Sequence, residues 1–150
     1  MKEIMKPVII NGKKIQGYYI TNTGRVFSAH QAGGKGGGSN INPLSRSEIK
    51  PNIDNGYLRV PLTCNDGARR KFSVHSLVIN SFKPFGKHLP ACIDPIDFEN
   101  TPKSVQILLS ELFIVNHIDH NKTNNHIDNL ERVTSRVNAI LSVEFYKKDK

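Results

Sequence analysis

A polar segment between two short β-rich runs constrains the fold of this chain more than any other feature. Residues 115–130, VNHIDHNKTNNHIDNL, hold three histidines, five asparagines and two aspartates. FIVNH leads into this segment, LERVT leads out of it, and RVNAILSVEFY follows with helical character. The pattern predicts a strand, a polar loop, a second strand and a helix. Such a unit can gather side chains from a strand and a helix around one metal ion.

Length and composition favour a single domain. The chain has 150 residues, of which 37% are hydrophobic. No apolar run approaches the roughly 18 residues of a membrane helix, and the first residues lack the pattern of a signal peptide. We therefore expect a soluble, cytoplasmic protein without a membrane partner. Cys64 and Cys92 belong to no CxxC pair, which argues against a disulfide framework and a thiolate zinc site.

Charge is distributed unevenly along the chain. Residues 1–90 carry 14 Lys and Arg against 4 Asp and Glu, whereas residues 91–150 carry 7 against 9. A basic front half is expected of a protein that neutralises phosphates, so the distribution favours a nucleic-acid partner. A surface charge that serves only solubility stays open as the alternative.

The front half predicts two β-hairpins and a helix. GYYITNTGRVFSAH reads as strand, turn and strand, with Gly24 free to take a positive φ. NIDNGYLRVPLT and ARRKFSV predict the second hairpin, with a further tight turn at Asn55-Gly56 just before its first strand. Alternation of apolar and polar residues along YLRVPLT indicates a half-buried strand. VHSLVINSF, residues 74–82, has the spacing of a short amphipathic helix, with His75 as a packed or capping side chain.

Two segments connect the predicted elements: one lies between the two hairpins, and the other between the helix at 74–82 and the polar segment. Residues 33–38 are Gly-rich and predict a flexible connector, in which Lys35 could follow a phosphate backbone. Residues 83–100 contain three prolines and predict an irregular loop. TPKSVQILLSELF then predicts one helix, with Thr101 as its N-cap and Pro102 at its first helical position.

The sequence VNHIDHNKTNNHIDNLERVTSRVNA resembles the ββα-metal core of HNH endonucleases, in the branch of phage and intron homing endonucleases. His117, Asn129 and Asn138 occupy the three positions that name the motif. GYYITNTGRVFS, GYLRVPL and KFSVHSLVINSF resemble the N-terminal sheet of those enzymes, so the resemblance covers roughly residues 16–84 and 114–141. It implies an α+β fold, with N-terminal antiparallel hairpins and a short helix before a C-terminal ββα core. We expect a DNA-binding sheet region at 1–84, an insertion with one helix at 85–113, and the nuclease core at 114–150.

The resemblance also implies roles for single residues. His117 would be the general base that takes a proton from the attacking water. Asn138 and Asn116 would hold one Mg²⁺ or Mn²⁺ ion, with Asp119 as a further candidate ligand. Asn129 would be structural, bonding backbone across the loop. The implied function is metal-dependent endonucleolytic hydrolysis of duplex DNA, by nicking or by cutting both strands.

The motif departs from the family pattern at two positions. Residue 116 is Asn where the strongest motifs place Asp, so the site lacks one negative charge. Residue 120 is His where Gly is usual, which costs some strain if the backbone there has a positive φ. We interpret His120 and His126 as loop residues, and Asn124 and Asn125 as turn formers.

Basic side chains supply the predicted contacts with double-stranded DNA. The candidates are Arg25, Lys35, Arg59, Arg69, Arg70, Lys71 and Arg136. Two alternatives to an active nuclease remain open: a DNA-binding protein that Asn116 leaves catalytically weak, and a scaffold whose basic half binds an acidic protein. The resemblance suggests a phage or mobile-intron origin, and hence the cytoplasm of a host cell.

Overall fold

The structure, a computed structural model, describes residues 2–31 and 40–148. The Gly-rich connector predicted at 33–38, with Lys35, lies outside the described residues. The strands are β1 (Met5–Ile10), β2 (Lys13–Thr21), β3 (Val26–Ser28), β4 (His30–Gln31), β5 (Asn40–Ile41), β6 (Ser47–Ile49), β7 (Asn52–Asp54), β8 (Tyr57–Thr63), β9 (Arg69–Ser73), β10 (Phe113–His117) and β11 (Leu130–Thr134). The helices are α1 (Val74–Phe82), α2 (Pro95–Asn100), α3 (Lys103–Glu111) and α4 (Ser135–Lys148). The predicted α+β fold is confirmed.

The first sheet has the strand order β1-β2-β3-β6. The predicted β2–β3 hairpin is confirmed, and Gly24 in its turn has a φ of +92°. The strand β1, which sequence analysis missed, pairs antiparallel with β2. Its hairpin turns at Asn11 and Gly12, whose φ values of +50° and +72° suit a tight turn. β4 and β5 form a separate two-stranded ladder.

The second sheet, β7-β8-β9, confirms the second predicted hairpin. Asn55 and Gly56 join β7 to β8 with φ values of +51° and +82°, as their sequence predicted. Val60 and Leu62 are buried on one face of β8, while Thr63 is exposed on the other. This alternation turns the apolar face of the sheet toward α1.

One hydrophobic core joins the N-terminal sheets to the C-terminal hairpin. Val74, Leu77 and Val78 on the buried face of α1 belong to it, together with β1, β2, β3 and β8 side chains. Ile127 and Leu130, from the end of the polar segment and the start of β11, are members of the same cluster. Each fully buried aliphatic side chain contributes roughly 1.5–3 kcal/mol. The His/Asn-rich loop is therefore anchored on a core that the front half builds.

The prediction of an irregular loop followed by one helix was wrong for the segment between α1 and β10. This segment contains a 3-10 turn at Phe85–Lys87 and two α-helices, α2 and α3. The side chain of Asp94 caps α2 by accepting from the backbone N–H groups of Ile96 and Asp97, and Pro95 takes the first helical position. Thr101 is the C-cap of α2 and not the N-cap of α3, which begins after Pro102. An Asp-Pro helix start was the overlooked signal.

The predicted strand–loop–strand–helix unit is present at the C-terminal end. β10 and β11 pair antiparallel, with Asn116 opposite Glu131 and His117 opposite Leu130. The helix α4 packs against both strands. The helix starts at Ser135. The Oγ1 of Thr134, the residue before it, accepts from the backbone N–H of Val137 at 3.4 Å. No helix in the described ranges is both long and apolar enough to span a membrane.

Candidate active site

Asn129 ties together the two ends of the polar loop between β10 and β11. Its Oδ1 accepts from the backbone N–H of Asp119 at 3.0 Å. Its Nδ2 donates to Oδ1 of Asp119 and to the backbone carbonyl of Asn124, both at 2.8 Å. These three bonds cross the loop, which supports the structural role that the resemblance implies for Asn129.

Asp119 is held within the same loop. Its Oδ1 also accepts from the backbone of Asn121 at 2.8 Å, and its Oδ2 accepts from Nδ2 of Asn124 at 2.7 Å. The pKa of Asp119 is lowered, chiefly by the hydrogen bond from Asn124. Because both carboxylate oxygens are engaged by the loop, the geometry favours loop shaping over metal binding for Asp119.

His120 has the left-handed backbone that its position in the motif suggested. Its φ is +58°, a conformation in which Gly is free of strain and His is not. The imidazole stacks on Phe145 of α4, with ring centroids 4.0 Å apart and an angle of 24° between the planes. This contact fastens the loop to the helix that carries Asn138.

His117 ends β10 and is only 5% exposed. Its Nε2 lies 3.0 Å from Oδ1 of Asn125, a side chain that is itself buried. An amide oxygen can only accept, so this pairing puts the ring proton on Nε2 and leaves the lone pair on Nδ1. Asn125, predicted only as a turn former, is thus the residue that orients the proposed base. Sequence reasoning missed it because nothing local distinguishes it from its neighbour Asn124.

The β2–β3 turn of the N-terminal sheet packs against Asn125. A Cβ added to Gly24 would lie 2.9 Å from Cβ of Asn125, so the β2–β3 turn packs directly against that side chain. The backbone carbonyl of Asn22 accepts from the N–H of Ile127 at 2.8 Å. A hairpin about 100 residues earlier in the chain therefore sets the position of the residue that holds His117.

An aromatic cluster surrounds the other side of His117. The rings of His75 and His117 meet edge to face with centroids 5.1 Å apart, and Tyr57 lies 5.2 Å from His75. Burial lowers the pKa of His75 to about 4, with smaller contributions from His117 and Arg59. His75 therefore stays neutral at working pH. Its Nδ1 is buried without a hydrogen-bond partner among the residues that the structure describes.

Asn116 and Asn138 are the two residues predicted to hold a metal ion. Asn116 is 8% exposed, and its Nδ2 donates to Oε1 of Glu131 at 2.8 Å, which leaves Oδ1 as the end of the amide that can take a ligand. Asn138 is half-buried in the first turn of α4. In the next turn, Oγ of Ser142 donates to the backbone carbonyl of Asn138. Residues 2–31 and 40–148 contain no cluster of three His, Cys, Asp or Glu side chains arranged for a metal. Amide oxygens, with waters and a phosphate, fit a hard ion such as Mg²⁺.

Comparison with known proteins agrees with this geometry. Residues 109–140 match the family described as HNH endonuclease. The uncharacterized HNH endonuclease L245 of Acanthamoeba polyphaga mimivirus is 31% identical over 124 residues, which are 82% of this chain and 26% of that protein. The HNH homing endonuclease I-HmuI, whose structure concerns DNA binding and cleavage, aligns with a TM-score of 0.53 and 26% identity over 96% of this chain and 59% of its own. Residues 109–140 of this chain are an HNH endonuclease core.

The family resemblance that the sequence predicted is thereby confirmed. The match spans the HNH core from the last turn of α3 to the first turns of α4. The chain covers about a quarter of the mimivirus relative. It covers 59% of the I-HmuI chain.

The predicted DNA-binding residues of this HNH protein fall into two groups. Arg25 is paired with Glu3 at 3.2 Å and with Glu48 at 2.7 Å, so its guanidinium links the β2–β3 turn to the residues before β1 and to β6. Arg59 is paired with Asp54 at 3.3 Å, and Arg70 with Asp66 at 2.8 Å. The remaining candidates in the described chain are exposed and in no described ion pair: Arg69, Lys71 and Arg136.

Proposed function

We propose that this chain is a divalent-metal-dependent endonuclease that hydrolyses phosphodiester bonds of duplex DNA. The observation that carries the proposal is the His117–Asn125 pair. It presents an imidazole with a free Nδ1 at the end of β10, inside the segment that matches the HNH family. An imidazole held in one tautomer by a buried partner is prepared for general base catalysis.

In the proposed reaction, Nδ1 of His117 takes a proton from the water that attacks the phosphorus. A new P–O bond forms and the bond to the 3′ oxygen breaks. The 3′ oxygen takes a proton from solvent water, which leaves a 5′ phosphate and a 3′ hydroxyl. Asn125 keeps the ring from rotating by holding Nε2, and His75 and Tyr57 shield the flank of the ring from water. Positioned proton transfer of this kind contributes typically 10² to 10⁴-fold in rate.

Asn116 and Asn138 would hold the single Mg²⁺ or Mn²⁺ ion through their side-chain oxygens. When bound, the ion would supply positive charge that stabilises the negative charge developing in the transition state. The residues present fit this group, because the available atom of Asn116 is a hard amide oxygen.

DNA binding would use the exposed basic side chains of the front half. Arg69 and Lys71 project from β9, a strand at the edge of its sheet. Arg136 is exposed on α4, next to the HNH core. I-HmuI, which aligns over most of this chain, binds and cleaves DNA, and this supports the same substrate here. The second candidate function, a DNA-binding protein with weak catalysis, is favoured by one observation, the neutral Asn116 at a metal-binding position.

A supercoiled-plasmid assay tests the proposal. The native chain, His117→Ala and the control His88→Ala, an exposed histidine outside the HNH core, are incubated with Mg²⁺, Mn²⁺ or EDTA. We expect metal-dependent nicking by the native chain and the control, and none by His117→Ala. DNA binding without cleavage by all three proteins would overturn the nuclease assignment and support the second candidate.

A further inference from the structure

Glu131 is the direct cross-strand neighbour of Asn116. The two residues are opposite each other in the β10–β11 ladder, where facing side chains interact most strongly. Nδ2 of the buried Asn116 donates to Oε1 of the half-buried Glu131 at 2.8 Å. A hydrogen bond to an ionised carboxylate is stronger than one between neutral groups.

This bond determines which end of the Asn116 amide is available to a metal. Because the amide is planar, fixing Nδ2 on Glu131 turns Oδ1 to the opposite side. The carboxylate also draws the N–H proton toward itself, which increases the negative charge on Oδ1 and makes it a better ligand. Carboxylates that orient and polarise a metal ligand in this way are common around metal sites.

The pair also compensates for the charge that Asn116 lacks. An aspartate at position 116 would place a second carboxylate beside Glu131, and two like charges at this distance repel each other. With asparagine, donor and acceptor are complementary, and the negative charge of Glu131 acts on the site through the polarised amide of Asn116.

We propose that Glu131 is a positioning residue for the metal contact of Asn116, an inference that rests on the proposed function. Asn116 and Glu131 together do what a single aspartate does in the strongest motifs. Glu131 acts through Asn116 and is not itself a ligand.

The test measures Mn²⁺ affinity, by the loss of the free-ion electron paramagnetic resonance signal, in the full-length chain. The proteins are the native chain, Glu131→Gln, Asn116→Asp, the double variant, and the control Glu99→Gln, an exposed carboxylate on α2. Gln is isosteric, so the thermal unfolding midpoint in EDTA should match that of the native chain. Its neutral amide accepts a weaker hydrogen bond than a carboxylate and can also rotate to present its NH₂ group, so it neither polarises the Asn116 amide nor fixes Nδ2 in place.

We expect Glu131→Gln to weaken Mn²⁺ binding about tenfold and Glu99→Gln to leave it unchanged. In the Asn116→Asp background, the loss on removing the Glu131 charge should be much smaller, because the introduced aspartate brings its own charge and needs no orienting partner. Such non-additivity is the signature of a residue that acts through its neighbour. An equal loss in both backgrounds, or no loss in either, would overturn the inference.

The outcomes also separate this inference from the proposed function. If the native chain nicks DNA and binds Mn²⁺ while Glu131→Gln behaves like Glu99→Gln, the role of Glu131 alone is refuted. If the native chain neither binds Mn²⁺ nor nicks DNA with it, the metal-dependent function and the role of Glu131 fail together.

Discussion

Oδ1 of Asn125 lies 3.0 Å from Nε2 of His117, and both side chains are buried. The pair lies eight residues apart across a loop that Asn129 closes with three hydrogen bonds. Gly24 in the β2–β3 turn packs closely against the side chain of Asn125. The orientation of the His117 ring therefore depends on contacts from both halves of the chain.

Asn125→Ala should reduce nicking on the order of a hundredfold, because His117 loses the acceptor that fixes its tautomer and orientation. Asn125→Asp keeps an acceptor at the same place and should retain much more activity than Asn125→Ala. Single-turnover nicking rates of the two variants make the comparison. Equal rates for Asn125→Ala and the native chain would contradict the assigned role.

Gly24→Ala should destabilise the fold and lower activity together. The new Cβ would lie 2.9 Å from Cβ of Asn125 in a backbone with φ of +92°, so strain and collision add. Gly67→Ala is the matched control, since Gly67 has φ of +79° but nothing within 4 Å of the added Cβ. We expect roughly 1 kcal/mol of backbone strain in the control and about 1–3 kcal/mol more in Gly24→Ala. Urea unfolding of both variants measures the difference, and equal losses would show that the contact with Asn125 is irrelevant.

His75 should make the protein less stable as the pH falls from about 6.5 to about 4. The folded chain keeps His75 neutral down to about pH 4, whereas the unfolded chain binds the proton near 6.5, so only the unfolded state gains from protonation in this window. Above pH 6.5 neither state is protonated there and the contribution vanishes. The shift corresponds to about 3 kcal/mol when complete.

Comparison with His75→Phe isolates this contribution, because other titrating groups affect both proteins alike. The free energy of unfolding of the native chain, minus that of His75→Phe, should fall through this pH window. The exposed His88→Ala should follow the native profile. A difference that is independent of pH would contradict a buried, neutral His75.

Removal of Arg69 and Lys71 together should weaken DNA binding and make it less sensitive to salt. Each lost phosphate contact lowers the slope of log affinity against log salt by about 0.9, so the double alanine variant should lose about 2. Arg25→Ala should leave the slope nearly unchanged, since Arg25 is already paired with Glu3 and Glu48. Fluorescence anisotropy with a short duplex at several salt concentrations provides the slopes. The same loss of slope from Arg25→Ala would place that residue among the phosphate contacts.

The amino-acid sequence by itself determined the elements that local patterns specify. Asn55-Gly56 predicts a tight turn because few other residue pairs adopt two consecutive positive φ values. VHSLVINSF predicts α1 because its apolar residues have helical spacing. FIVNH and LERVT predict the hairpin of the HNH core because they are short runs that contain β-branched residues. The spacing of His117, Asn129 and Asn138 was enough to indicate the HNH family.

Only the tertiary structure decided which polar side chains act together. Asn124 and Asn125 are neighbours in the sequence, yet one shapes the loop and the other holds His117, because only Asn125 faces the core beneath the Gly24 turn. Glu131 meets Asn116 through the register of a hairpin, and Arg25 meets Glu3 and Glu48, which lie 22 and 23 residues away in the sequence. These pairings depend on long-range packing and strand register, which residue type and spacing alone do not specify.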